Sequence, residues 1–278
     1  MGSYNFFLIK SIQAALAAGR AILDVYHSEF AVEYKADNSP LTQADRKSHE
    51  LILDALSRFK IPVLSEEGRE IPYPERKTWE RLWIVDPLDG TKEFIKHNGE
   101  FTVNIALVEY VKPVLGVIYA PDKNVLYFAA RGTGAYKMKN PENFAWPKEK
   151  TKNDNSKALM QLIIQSSVKL PVKRLASSFT IVGSRSHAGP ELEKFVEQKR
   201  REHGRVKFIS AGSSLKICLV AEGKADLYPR LGPTCEWDTA AGQAIAECAG
   251  AKLLNSKTGE PLRYNRDEIL NPRFIVRR

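Results

Sequence analysis

The sequence is poor in cysteine. Its three thiols, Cys218, Cys235 and Cys248, are odd in number and widely spaced, so neither a disulfide framework nor a cysteine-based metal site follows from them. Cys218 and Cys248 lie among apolar residues of predicted helices. We therefore expect buried, reduced thiols, which fit a reducing compartment.

Several recognition signals are also missing. The N-terminus lacks a charged n-region followed by an apolar h-region, so we expect no secretory signal. No uninterrupted apolar run approaches the length of a membrane span. RNP-like patterns and zinc-finger spacings are absent, so we expect no nucleic-acid partner. These absences together predict a cytoplasmic protein.

The charge balance is basic. Lys and Arg outnumber Asp and Glu by 42 to 33, which gives a net charge of +9. Such an excess suits anionic partners such as lipid headgroups or small phosphorylated molecules, without choosing among them. The polar, Lys-rich segment over residues 141–178 is predicted to be an exposed basic insertion or linker. Peripheral contact with the inner face of the membrane through this basic surface is a further expectation.

The segments on either side of the insertion have different patterns. Residues 1–140 predict an α+β half, with helices over 5–27 and 46–59 and an antiparallel meander over 101–138. Thr42 and Asp45 form a variant of the capping box before the second helix. Residues 179–278 alternate strand and helix, which predicts an α/β half.

Carboxylates stand at the edges of several predicted elements: Asp45 in LTQAD, Glu66 in LSEE, Asp86 and Asp89 in DPLDGT, and Asp238 in EWDTAAG. Each alone is explained by a turn, a helix cap or a solvated loop. However, LSEE and DPLD each follow an apolar strand, so their acids can converge, and converging buried acids are costly without a cation. Mg²⁺ prefers oxygen ligands of this kind. The amides of Gly90 and Thr91, at the start of a predicted short helix, offer an adjacent anion site.

These motifs resemble a known family. LSEE, DPLDGT and EWDTAAG occur in the order found in the inositol monophosphatase superfamily of lithium-sensitive, Mg²⁺-dependent phosphatases. GVIYAP, SRSH and GSSLKICLVAEG resemble the 3'(2'),5'-bisphosphate nucleotidase branch. The resemblance implies a layered αβαβα sandwich. It also implies hydrolysis of the 3'-phosphate of adenosine 3',5'-bisphosphate, and of the corresponding 5'-phosphosulfate.

The resemblance also implies a metal site and a catalytic route. Two or three Mg²⁺ ions would bind, and Li⁺ would inhibit. The implied ligands are the side chains of Glu66, Asp86, Asp89 and Asp238 and the backbone carbonyl of Leu88. Glu66 would also assist catalysis, and Thr91 would orient the attacking water and pass its proton toward Asp45.

The implied substrate contacts have competing structural explanations. Gly212, Ser213 and Ser214 form either a phosphate cradle or, through Ser213, a helix N-cap. Lys216 either adds charge at a phosphate or is a solvated helix residue. Arg230 faces the adenine or pairs with an acid. Gly90 and Thr91 would contact the phosphate, and Ser186 and His187 would contact the nucleotide or its phosphate.

Two alternatives to the nucleotidase remain. Relatives that act on inositol monophosphates or fructose 1,6-bisphosphate use the same machinery on another substrate. A non-catalytic anion-binding module, with the basic insertion binding nucleic acid, would require a disabled site, whereas every ligand position is filled here. The sequence carries no signal for an oligomeric state.

Overall fold

The computed structural model describes residues 4–34, 40–146, 156–172, 178–184 and 189–278. Its helices are α1 (Asn5–Tyr26), α2 (Gln43–Ser57), α3 (Tyr73–Arg76), α4 (Thr91–Ile95), α5 (Ser156–Gln165), α6 (Pro190–His203), α7 (Leu215–Glu222) and α8 (Glu236–Cys248). The first strands are β1 (Val32–Tyr34), β2 (Pro40–Thr42), β3 (Val63–Ser65), β4 (Arg81–Asp89), β5 (Thr102–Glu109), β6 (Lys112–Ala120) and β7 (Val125–Ala130). The remaining strands are β8 (Gly134–Lys139), β9 (Val168–Lys169), β10 (Phe179–Gly183), β11 (Val206–Ser210), β12 (Leu227–Arg230), β13 (Lys252–Asn255) and β14 (Phe274–Arg277).

Two large sheets form the framework. The seven-stranded sheet runs in order from β3 to β9, and it is antiparallel except for the parallel pair β3 and β4. The predicted meander over 101–138 is therefore confirmed as β5 to β8. The five-stranded sheet has the order β11-β10-β12-β14-β13, in which β10 pairs in parallel with β11 and β12.

Helices cover the faces of both sheets. Residues of α1, α2 and α5 share one core with one face of the seven-stranded sheet. The opposite face packs with α7, α8 and the inner face of the five-stranded sheet. The outer face of that second sheet packs against α6 through Ile181, Leu192, Val196 and Leu227. The layers follow the order αβαβα, as the resemblance implied.

Close backbone approach seats α8 on the first sheet. A Cβ atom at Gly116 in β6 would lie 2.2 Å from the carbonyl oxygen of Ala241 in α8. Only glycine fits at this distance, so Gly116 lets the helix pack directly on the strand. Because α8 also carries Asp238, this contact helps to set the position of a predicted metal ligand.

Helix α1 differs from the expectation drawn from apolar runs. Among the described residues it is long and apolar enough to cross a membrane. However, 56% of its apolar window is buried inside the protein, where Ile12 and Leu16 belong to the first core. Burial of this kind is typical of a helix that packs in a protein core. Such a helix can match a membrane span in length and composition.

The segment over residues 141–178 also differs in part from its prediction. Residues 156–165 form α5, and Leu159, Met160 and Ile163 are buried in the core that they share with α1. The Lys-rich composition concealed this apolar helix because the loop signal before it dominates the segment. The division into residues 1–140, 141–178 and 179–278 stays a prediction.

Candidate active site

Asp86 and Asp89 lie within strand β4, which is longer than the sequence predicted. Pro87 and Gly90 predict a turn over DPLDGT, yet β4 extends through Asp86 to Asp89, with a shift of register against β5 between these two residues. The turn itself falls at Gly90, which adopts φ +92° before α4. The irregular register is typical of a bulge, which re-aims side chains at the end of a strand.

The strand pairing brings Glu66 to the same place. Ser65 pairs in parallel with Val85, and the amide of Glu66 donates to the carbonyl of Val85 at 3.2 Å. Glu66, directly after β3, therefore lies next to Asp86 in the neighbouring strand β4. The carboxylates of Glu66 and Asp86 also interact, since the charge of Glu66 helps to raise the pKa of Asp86.

Asp238 reaches this edge from α8. One carboxylate oxygen from each of Asp86, Asp89 and Asp238 lies within 4.8 Å of the others. Asp238 also accepts a hydrogen bond from the amide of Cys235 at 2.5 Å, so it caps its own helix as well as joining the cluster. Capping and clustering are thus compatible roles for this residue.

The acidic cluster is electrostatically unfavourable by itself. Burial raises the pKa of the Asp86 carboxyl well above its usual range, and the charges of Glu66, Asp89 and Asp238 raise it further. Burial, followed by the charge of Asp89, raises the pKa of Asp238 to about 8. These shifts indicate that the carboxylates of the cluster are both buried and crowded together.

The donor set fits a hard divalent cation. Within the described residues, no N–H or hydroxyl group donates to Oδ2 of Asp86, although this atom is buried. A buried carboxylate oxygen without a donor is costly unless a cation occupies its place. The neighbouring ligand atoms are carboxylate oxygens, which are the ligands that Mg²⁺ prefers.

Thr91 and Asp45 lie beside this cluster. Thr91 Oγ1 is 3.3 Å from Asp45 Oδ1 and 3.3 Å from the carbonyl oxygen of Leu88. Asp45 Oδ2 accepts hydrogen bonds from the amide and the hydroxyl of Thr42, at 2.7 and 2.6 Å. Asp45 therefore completes the predicted capping box of α2 with one oxygen and faces Thr91 with the other.

A cleft of about 230 Å³ opens over the acids. The predicted site residues that line it are Glu66, Asp89, Gly90, Thr91, Gly212, Ser213, Ser214, Lys216, Arg230 and Asp238. Asp45, Asp86 and Leu88 are buried beside it. Ser186 and His187 lie outside the described residues, and Ser184, just before them, lines the cleft.

The serines before α7 make contacts that neither sequence interpretation anticipated. The hydroxyl groups of Ser213 and Ser214 lie 2.7 and 2.8 Å from Oδ2 of Asp89. Ser214, not Ser213, is the N-cap residue of α7, and no side-chain hydrogen bond caps this helix. The interpretation of Ser213 as N-cap is therefore wrong. The amide of Gly212 donates to Glu100 at 2.8 Å.

Two cationic side chains border the cleft. Lys216 is buried, and its ammonium donates to the carbonyl of Ser213 at 2.6 Å, so it is not a solvated helix residue. Burial lowers its pKa to about 8, against the attraction of Asp89. Arg230 donates through Nη2 to the carbonyl of Pro233 at 2.8 Å, while its buried Nε has no hydrogen-bond partner in the described structure.

Sequence reasoning missed Asn104, which is buried in β5. Its Nδ2 lies 3.2 Å from Asp89 Oδ2 and 3.0 Å from the Ser214 hydroxyl. The available signal was a lone amide in the apolar run VNIALV, because a buried amide requires partners. Glu236, whose role the sequence left open, is fully buried and accepts the amides of Asn265 and Arg266 at 2.7 and 2.9 Å.

Comparison with known proteins agrees with this geometry. A model of the inositol monophosphatase family matches residues 5–276. The chain is 47% identical over 272 residues to the 3'(2'),5'-bisphosphate nucleotidase CysQ of Shigella flexneri, covering 95% of this chain and 96% of the relative.

Solved structures give the same result. The crystal structure of CysQ from Bacteroides thetaiotaomicron superimposes with a TM-score of 0.88 at 51% identity, covering 99% of this chain and 98% of that one. The extragenic suppressor protein suhB from Bartonella henselae gives a TM-score of 0.71 at 26% identity, covering 97% and 93%. The protein belongs to the inositol monophosphatase family.

Proposed function

We propose that this protein is a Mg²⁺-dependent phosphomonoesterase that removes the 3'-phosphate of adenosine 3',5'-bisphosphate. The observation that carries the proposal is the cluster of Asp86, Asp89 and Asp238 at the base of a cleft bordered by Lys216 and Arg230. Acids that hold divalent cations beside an anion-binding cleft are the arrangement that phosphoryl transfer to water requires. The 5'-phosphosulfate analogue is the second expected substrate.

In this proposal the metal ligands are the side chains of Glu66, Asp86, Asp89 and Asp238 and the carbonyl of Leu88. When bound, Mg²⁺ ions neutralise phosphate charge and lower the pKa of water. Thr91 orients the attacking water through its hydroxyl. Asp45, 3.3 Å from that hydroxyl, receives the proton. Competition by Li⁺ at the same carboxylates would make it an inhibitor.

The cations of the cleft favour a substrate with a second anionic group. Lys216 and Arg230 line the cleft in addition to the proposed metal ions. An inositol monophosphate offers only one phosphate, which the metal ions and the Gly90–Thr91 amides would already engage. A bisphosphate nucleotide offers another phosphate for the two side chains. The higher identity to CysQ proteins than to suhB supports the same choice.

The non-catalytic alternative requires a disabled site. Here all five proposed ligand residues are present, and Thr91 and Asp45 are within 3.3 Å of each other. These features favour catalysis over simple anion binding. We expect the enzyme to act in the cytoplasm, where its three thiols stay reduced.

A phosphate-release panel tests the proposal. Adenosine 3',5'-bisphosphate, its 5'-phosphosulfate analogue, inositol 1-phosphate and fructose 1,6-bisphosphate are compared with Mg²⁺, with and without Li⁺. We expect the two nucleotides to be hydrolysed fastest and Asp89→Asn to abolish turnover, while Asp54→Asn, an exposed aspartate on α2, serves as the matched control. Hydrolysis of none of the four, or full activity of Asp89→Asn, would refute the mechanism. Preference for inositol 1-phosphate would refute only the substrate.

A further inference from the structure

The carboxylate of Asp89 is held through only one of its two oxygens. Ser213 Oγ, Ser214 N and Ser214 Oγ lie 2.7, 2.7 and 2.8 Å from its Oδ2 atom, and Asn104 Nδ2 lies 3.2 Å from it. All the hydrogen bonds that the described residues give this carboxylate end on Oδ2. A carboxylate oxygen has two lone pairs, so these donors saturate Oδ2. Oδ1 is left as the oxygen that can ligate a cation.

Ser214 lies between two acids of the metal cluster. Its hydroxyl is 2.8 Å from Asp89 Oδ2 and 2.8 Å from the backbone carbonyl of Asp238. A hydroxyl has one proton, so it donates to one of these oxygens at a time, while its amide donates to Asp89 in both cases. Ser214 is only 3% exposed, so water does not compete for these contacts.

Asn104 orients the side chain of Ser214. Its Nδ2 group donates to the Ser214 hydroxyl at 3.0 Å and approaches Asp89 from β5. Its Oδ1 atom accepts a hydrogen bond from Thr102 at 2.9 Å, which sets the orientation of the amide. The two elements that border Asp89, β5 and the start of α7, therefore hold the carboxylate from both sides.

We propose that Ser214 and Asn104 are positioning residues for the divalent cation, which orient Asp89 so that Oδ1 faces the acidic cluster. The proposal rests on the metal dependence in the proposed function. It replaces the phosphate-cradle interpretation for Ser214, because the hydroxyl and the amide of this residue are directed at Asp89. Groups that orient a metal ligand typically change metal affinity 10–100-fold when they are removed.

The test is a calorimetric Mg²⁺ titration of the substrate-free protein. We expect Ser214→Ala and Asn104→Ala each to weaken Mg²⁺ binding by roughly 10-fold. At saturating Mg²⁺, the KM of Ser214→Ala for adenosine 3',5'-bisphosphate should stay within about twofold of wild type, because Ser214 touches no phosphate in this account. Ser11→Ala is the matched control, since Ser11 is a fully buried serine on α1, outside the site.

The two interpretations give opposite results. Unchanged Mg²⁺ affinity in Ser214→Ala overturns the proposal. If the KM of this variant is also raised at saturating Mg²⁺, the interpretation of Ser214 as part of a phosphate cradle is favoured instead. If Ser214→Ala does not fold, Asn104→Ala carries the same test from β5. Mg²⁺ binding is measured without substrate. Its result therefore does not depend on whether the phosphate-release panel confirms the proposed substrate.

Discussion

Lys216 shows how burial at a single residue sets the chemistry of the cleft. Its ammonium is buried against Tyr228, 5.7 Å from the ring centroid, and donates to the carbonyl of Ser213. Loss of solvation lowers its pKa to about 8, although the negative charge of Asp89 opposes this shift. The positive charge of this side chain is therefore lost just above neutral pH, where phosphate remains anionic.

The titration of Lys216 predicts that the affinity for substrate depends on pH. If Lys216 binds a substrate phosphate, KM should rise as pH increases through about 8, since the neutral amine no longer attracts the anion. Lys216→Met should show a raised KM already at pH 7 and no further rise attributable to this group. Steady-state kinetics from pH 6.5 to 9.5 at saturating Mg²⁺ compare the two, with exposed Lys257→Met as control. Parallel profiles for wild type and Lys216→Met would contradict the assignment.

At the scale of elements, the seating of α8 on β6 depends on the absence of a side chain at Gly116. The Cβ that alanine would add lies 2.2 Å from the carbonyl oxygen of Ala241, which is a backbone atom of a packed helix. Neither element can move freely, because α8 lies between the two sheets. Any displacement would also carry Asp238 away from Asp86 and Asp89.

We expect Gly116→Ala to destabilise the protein by about 1–3 kcal/mol, the usual range for overpacking a core. Its Mg²⁺ affinity should also fall, because the helix that carries Asp238 is displaced. Gly232→Ala is the control, since no atom of the described residues lies within 4 Å of the Cβ it would add, and it should change stability by less than about 0.5 kcal/mol. Urea unfolding with and without Mg²⁺ measures both effects. A wild-type midpoint for Gly116→Ala would show that the contact relaxes without cost.

The same elements show how far sequence reasoning reaches. Runs rich in Val, Ile, Tyr and Phe, separated by turn residues, predicted β5 to β8, and helical spacing predicted α1 and α2, because local burial determines both patterns. The strand through Pro87 and the core helix α5 were not predicted. In both, tertiary contacts overrode strong local signals from proline and from a Lys-rich segment.

For the site, sequence reasoning found the acids but not the long-range contacts that orient them. The acids were identified from their positions at element ends, and the structure brings Asp86, Asp89 and Asp238 together. The contacts of Asn104 and Ser214 with Asp89 join residues 15 and 125 positions apart, which no local pattern encodes. Their orientation depends on how β5 and the start of α7 pack, and only the folded chain shows it.

The whole molecule gathers its acids from distant parts of the chain. Glu66 and Asp86 come from the first sheet, and Asp238 comes from the helix packed between the sheets. Folding without a cation must therefore bring like charges together, at a cost in stability. Sites of this kind are often destabilising for the fold because function requires them.

This cost gives a prediction for metal removal. In metal-free protein, Asp238→Asn should raise the free energy of unfolding at pH 7 by roughly 0.5–2 kcal/mol, since the amide carries no charge and can still accept the Cys235 amide. The wild type should gain about 2.7 kcal/mol from Mg²⁺ at 100 times its dissociation constant, whereas Asp238→Asn should gain much less. Glu260→Gln, an exposed substitution, should behave like the wild type in both conditions.

The pH dependence of the metal-free protein tests independently whether Asp238 destabilises the fold. The folded pKa of Asp238, about 8, is above its ordinary value of 3.8, so between these values the folded state binds more protons than the unfolded state. The free energy of unfolding attributable to this group must then fall as pH rises from about 4 to 8. Urea denaturation in EDTA at several pH values should show this decline in the wild type and a shallower one in Asp238→Asn. Equal slopes would mean that neither burial nor the neighbouring carboxylates raise the pKa of Asp238 in the folded protein.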